Sequence, residues 1–100
     1  MDKYRVVLTP RALRDLDGIY LYIARTFLEP GTALNLVDAI EREIFSLEIM
    51  PNRWPERRTG AYAGKGYRQL FVKNYTAVYR VDEAERLVCV VTVRYSPSRF

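Results

Sequence analysis

Histidine is absent from the chain, and cysteine occurs once in 100 residues. Without histidine there is no imidazole general base, no imidazole metal ligand and no Ser-His-Asp or Cys-His arrangement. The single cysteine, Cys89, stands in the run Leu87-Val88-Cys89-Val90-Val91 and cannot close an internal disulfide. It reads as a small apolar residue in a buried strand. One thiol and no imidazole argue against a zinc or iron site. The carboxylates concentrate on the exposed faces of helices, where solvation accounts for them, so no cofactor and no metal are expected. Long apolar runs are missing too. No stretch approaches the roughly 20 residues of a membrane span, and Met1-Asp2-Lys3-Tyr4 has no signal-peptide core. These absences lead to the expectation of a soluble, cytoplasmic protein with a reduced thiol and no membrane partner.

What is present is arginine, tyrosine and an uneven charge. The formal charge is +4. Residues 1–50 carry a balance of −2 and residues 51–100 a balance of +6. Such asymmetry suits either an acidic partner or polyanion at the C-terminal half, or solubility alone. The length suits one domain, residues 1–100, with a core that needs no staples.

The patterning predicts an α+β fold in the order β-α-α-β-β-β. Met1 to Leu8 alternates as a short strand. Thr9 can cap a helix that begins with Pro10. Leu13, Leu16, Tyr20, Ile23 and Phe27 then fall at helical spacing, widened by Ala12, Ile19 and Ala24. Glu29-Pro30-Gly31 breaks the chain, and Thr32 can cap a second helix. Leu36, Val37, Ile40, Ile44, Leu47 and Met50 form its stripe, ended by Pro51. Two such helices joined by about four residues form an antiparallel hairpin. Residues 51–66 read as loop. Within them Gly60 to Gly66 is one residue short of a phosphate loop and lacks its Ser/Thr, so it reads as a mobile basic loop. Trp54 either plugs this loop onto the helices or is a contact residue. Strands follow at Tyr67–Val72, Tyr75–Val81 and Leu87–Tyr95, with Lys73-Asn74 as a tight turn whose Asn tolerates positive φ. The last strand is so continuously apolar that a central place, covered on both faces, is expected.

Strand alternation suggests a site. Arg68, Leu70 and Val72 share one side of their strand, as do Thr76, Val78 and Arg80, and Val90, Thr92 and Arg94. If the three sets face together, Arg68, Arg80 and Arg94 project from the sheet surface opposite the helices, with Tyr95 and Ser96 at its edge. Guanidinium forks there would suit phosphate or carboxylate partners.

The ordered motifs also carry a family resemblance. Tyr4-Arg5-Val6-Val7-Leu8-Thr9-Pro10 with Ala12, then Asp15-Leu16 and Ile19-Tyr20-Leu21-Tyr22-Ile23, is similar to the ParE-type pattern. Met50-Pro51, Gly66-Tyr67-Arg68-Gln69-Leu70, Val72-Lys73-Asn74-Tyr75, Tyr79-Arg80-Val81 and Val90-Val91-Thr92-Val93 continue it. The chain thus resembles the RelE/ParE toxin superfamily, in its ParE-like branch, over essentially its whole length. The resemblance implies a helical hairpin packed on one face of a mostly antiparallel sheet. It also implies a type II toxin–antitoxin (plasmid stabilisation) module, growth inhibition, and a cognate antitoxin whose often acidic C-terminal segment wraps the toxin as helix and strand. ParE-like members are associated with DNA gyrase and have no catalytic centre; RelE-like members cut mRNA on the ribosome. Arg68 falls where RelE-like proteins place a catalytic-region lysine. Leu70 and Thr76 replace two further basic positions, Ser96 stands near the last arginine, and Arg94 and Tyr95 are offset. The implied function is gyrase binding, and the alternative is an mRNA interferase using Arg68, Arg94 and Tyr95. RNA cleavage needs a proton acceptor, and arginine is a poor one at neutral pH.

Overall fold

Thr9 ends the first strand and starts the first helix in one step. Its Oγ1 accepts from the Ala12 amide at 3.1 Å, and Pro10 supplies the pre-set φ of a first helical residue. The computed structural model describes residues 3–97. Its elements are β1 (Arg5–Leu8), α1 (Pro10–Phe27), α2 (Pro30–Phe45), β2 (Arg68–Val72), β3 (Tyr75–Asp82) and β4 (Leu87–Tyr95), with 3-10 turns at Ser46–Glu48 and Pro51–Arg53. The expected order β-α-α-β-β-β is therefore found. Met1 and Asp2, read from sequence as part of the first strand, lie outside the described residues. The sheet runs β1-β4-β3-β2, with β1 parallel to β4 and the other pairs antiparallel.

Both helices cover one face of this sheet. Ala12 and Leu16 of α1 and Ile40 and Ile44 of α2 pack with Leu47, Leu70, Ala77, Tyr79, Val88 and Val90 into one buried cluster. Each such aliphatic side chain, fully buried, contributes roughly 1.5–3 kcal/mol. The phase of α1 differs from the predicted stripe. Ala12, Leu16 and Ile19 face inward, whereas Leu13 and Phe27 are exposed. Helix α2 starts at Pro30 rather than after a Thr32 cap, and the Thr32 hydroxyl instead donates to the Glu29 carboxylate at 3.1 Å. Its stripe ends at Leu47, and Met50 is exposed. Only Leu28 and Glu29 link the helices; Leu28 is left-handed at φ 53° and 82% exposed. Trp54 is half-buried, packing against the core and edge-on to Phe71 of β2.

Strand β4 is interior, as expected, but its two faces differ. Val88 and Val90 are buried on the helix side, and Leu87, Cys89 and Val91 are half-buried. Its outer edge changes partner midway. β1 ends at Leu8, opposite Val90. Beyond that point α1 takes over. The Thr9 hydroxyl donates to the Val91 carbonyl at 3.0 Å, and one Asp15 carboxylate oxygen accepts from the Val93 amide at 3.0 Å and the Thr92 hydroxyl at 2.6 Å. Backbone groups that a longer β1 would have paired are satisfied by two side chains of the adjoining helix. At the same place the β3–β4 register slips. Val78 pairs with Thr92, but Tyr79 pairs with Val90, so Val91 is an extra residue in a bulge.

Two outcomes follow. Asp15→Ala should lower the unfolding free energy by about 1–3 kcal/mol, read from the urea midpoint, because two donors lose their acceptor; Asp15→Asn should lose less. Tyr79 is fully buried and donates to the Pro51 carbonyl at 2.5 Å. Burial favours its neutral form and pushes its pKa from 10.0 to about 12. Its contribution is therefore complete below pH 10 and is lost as pH rises through about 12. Tyr79→Phe should remove that alkaline fall in a pH series of thermal unfolding.

Candidate functional site

Cross-strand partners share a face, so the sheet register decides which arginines can act together. Arg80 pairs with Cys89 and Thr76 with Arg94, which places Arg80 and Arg94 on the face away from the helices. Arg68 pairs with Tyr79, and Leu70 with Ala77, on the helix side. The expected triad of Arg68, Arg80 and Arg94 is therefore corrected to two. The Arg68 guanidinium is half-buried and donates to the Trp54 carbonyl at 2.6 Å, holding the loop. Val90 is likewise on the helix side, separated from Thr92 and Arg94 by the bulge.

Tyr95 and Ser96 also part company. Tyr95 pairs with Tyr75 on the helix side, their rings meeting edge to face at 5.5 Å, and is 62% exposed. Ser96 is buried. Its hydroxyl shares a hydrogen bond with Thr76, and its amide donates to the Asn74 carbonyl at 2.7 Å. Ser96 thus closes the end of the sheet and is not presented to a partner. The β2–β3 turn uses Lys73, at φ 53°, as its left-handed residue, where sequence reading assigned that role to Asn74.

The face away from the helices is only partly bare. Thr76, Val78 and Thr92 on it are fully buried. Residues 55–57 lie beside β2, with the Gln69 amide donating to the Pro55 carbonyl at 3.1 Å and the Arg57 amide to the Tyr67 carbonyl at 2.8 Å. Arg57, 2% exposed, donates through Nε to the Ala61 carbonyl and through Nη1 to the Gln69 side chain at 3.0 Å. The basic loop is thus wound on a buried arginine, with Gly64 and Gly66 at positive φ. Burial, then the nearby Arg94 charge, lowers the Arg57 pKa from its ordinary value. Sequence reading missed Arg57; nothing in the loop's composition separates it from exposed Arg58. The part left open is a hollow of about 470 Å³ lined by Tyr67, Arg80, Leu87, Cys89 and Val91 among others. There the Arg80 guanidinium lies 5.8 Å from the centre of the Tyr67 ring.

A larger opening lies on the other side. A groove of about 750 Å³ runs between α1 and the β2–β3 turn, with Ile19, Tyr22, Ile23, Phe27, Tyr75 and Tyr95 as its apolar lining. Tyr22 is 63% exposed. The charges at this groove are Arg14, Lys73 and Asp15, and Asp15 is already engaged by Thr92 and Val93. The groove therefore presents aromatic surface with two cations and one committed acid. Exposed apolar surface of this kind is shared by docking faces, membrane-contact faces and ligand grooves. The sequence signal for it was Tyr22 beside the core stripe of α1, with a tyrosine as the first residue of β3 and another as the last residue of β4.

Among the described residues no group of acidic, histidine or cysteine side chains is arranged to hold a metal, and no helix is long and apolar enough to cross a membrane. Residues 6–97 match the family model described as the ParE toxin of the type II toxin–antitoxin system, parDE. No curated protein is significantly similar to the chain. Several solved structures share the fold. The chromosomal ParDE toxin–antitoxin system of P. aeruginosa superposes with a TM-score of 0.78 at 22% identity, covering 94% of this chain and 97% of the other. The RelBE2 toxin–antitoxin complex of Mycobacterium tuberculosis gives 0.70 at 22%, covering 98% and 97%. The YoeB/ParE toxin of Agrobacterium tumefaciens gives 0.58 at 23%, covering 91% and 96%.

The split between the two arginines is open to measurement. Arg68→Ala should destabilise the fold by about 1–3 kcal/mol, since it frees a carbonyl and unpins the Trp54 loop. Arg80→Ala, at an exposed position, should stay within about 0.5 kcal/mol of the parent in chemical denaturation.

Proposed function

We propose, from the premise that this chain belongs to the ParE toxin family of type II toxin–antitoxin systems, that it arrests growth by binding DNA gyrase and is neutralised by an antitoxin seated on the α1 groove. The observation that carries the neutralisation reading is the groove itself. It is aromatic, open and rimmed by Arg14 and Lys73. An amphipathic segment with acidic residues would bury the rings of Tyr22, Phe27 and Tyr95 and meet both cations. The P. aeruginosa ParDE toxin–antitoxin system and the M. tuberculosis RelBE2 toxin–antitoxin complex each contain a chain of this fold, which supports a partner of that kind.

Action by binding is supported by what the side chains can and cannot do. Arg68 and Tyr95 stand on the helix side and Arg94 on the other, so the three residues of the nuclease alternative do not converge. Arg80 and Arg94 can attract carboxylate or phosphate but cannot accept a proton at neutral pH. The hollow beside Arg80, lined by an arginine held over a tyrosine, a half-buried apolar floor and the acids Asp82 and Glu83, is the surface we assign to the target. Cytoplasmic location follows from such a target.

The test is induced expression with and without the product of the adjacent small reading frame. Growth arrest relieved by that product is expected, with the purified chain inhibiting gyrase supercoiling and leaving message on programmed ribosomes intact. Tyr22→Asp should remain toxic yet escape relief. Codon-specific cuts in ribosome-bound message would replace gyrase with the mRNA interferase, and an isolated gene would overturn the antitoxin reading.

A further inference from the structure

Gly18 lies in the middle of α1, among the groove residues. Glycine is the poorest helix former after proline, because it has the most backbone freedom to lose. A helix interior keeps one where a side chain would collide or where φ must be positive. Neither holds here. Gly18 is helical and absent from the positive-φ positions, and a Cβ built on it meets nothing within 4 Å. Among the described residues the other helical glycine, Gly31, also has open space, but it is the second residue of α2, where the first turn makes few helical bonds. Gly18 thus costs helix stability, and no contact among the described residues requires it.

We propose that Gly18 is the point of closest approach of the partner, where the backbone of an amphipathic antitoxin helix rests directly on α1. This rests on the reading that the groove holds the antitoxin. Positions 14, 15, 18 and 22 lie on one helix face at spacings of three and four. Arg14 stands at one end of that face and Tyr22 at the other, with Lys73 and Tyr95 across the groove. A missing side chain lets two helices approach as small residues do at close crossings. The partner's backbone would fill the notch at Gly18, its apolar residues would meet Tyr22 and Tyr95, and its carboxylates would reach Arg14 and Lys73. A groove with two cations and its one acid committed selects an acidic helix over a basic one. Gly18 thereby sets which partner fits, by shape, while the cations set it by charge.

The proposal separates binding from folding in opposite directions. Gly18→Ala improves helix propensity without a clash, so the free chain should melt about 4 °C higher or more. Its affinity for the adjacent-frame product, measured by calorimetric titration, should fall at least about tenfold because the contact is overpacked. Gly18→Leu should fall further while remaining folded. Tyr22→Asp is titrated in parallel. If Gly18→Ala binds like the parent while Tyr22→Asp does not bind, close approach at Gly18 is overturned and the groove reading stands. If Tyr22→Asp also binds like the parent, the groove reading fails and this proposal falls with it.

Discussion

A carboxylate and a hydroxyl from one helix finish a strand's unpaired edge, and the rest of the architecture is arranged around that joint. β1 is four residues long and β4 is nine. The mismatch would leave the outer edge of β4 open from Val91 onward. Thr9 supplies the missing donor and Asp15 the missing acceptor, so the first turns of α1 are fixed to the sheet by hydrogen bonds as well as by burial. Arg11 adds to the joint, with Nε 3.4 Å from the Thr92 hydroxyl and 4.0 Å from Asp15. The direction of α1 then fixes the groove, because Ile19, Tyr22 and Phe27 lie further along the same helix.

The two faces of the sheet carry different chemistry as a result. The helix side carries exposed aromatic rings flanked by Arg14 and Lys73. The other side is closed at its centre by Arg57 and the loop around it, and has a hollow near Arg80. Buried Arg57 is hydrogen-bonded and depends on Gln69 and the Ala61 carbonyl for satisfaction. What could be mistaken for a free cluster of arginines is therefore partly structural. Arg57 and Arg68 hold the loop from opposite sides of β2, and Arg80 faces outward.

Much of the fold was legible because local signals agreed. Thr9-Pro10 marked a real cap, the stripes of α1 and α2 marked real helices, and the strands of Val, Tyr and Thr lay where expected. The second helix start was missed because Pro30 acts as a first helical residue rather than as a breaker. The site was less legible, for two physical reasons. Period-two alternation says which residues of one strand agree, but only the turn says how strands agree with each other. A two-residue turn at Lys73-Asn74 already requires Val72 opposite Tyr75, and hence Arg68 opposite Tyr79. That information was present in the sequence and was not carried through. The bulge is different. In the apolar run from Leu87 to Val93 every register buries something, so nothing in the residues marks Val91 as the extra one.

That extra residue works as a phase shifter. Ahead of it, odd-numbered positions of β4 look away from the helices, as Cys89 does; after it, even-numbered ones do, as Arg94 does. Were Val91 paired in regular alternation opposite Val78, every residue after it would change face, with Arg94 turning in under α1 and Tyr95 out to the other side. Deleting Val91 would remove the extra residue and the shift together, so Thr92 would still meet Val78 and both surfaces would keep their present residues. The bulge thus lets β4 carry one residue more than its partner strand without exchanging its faces.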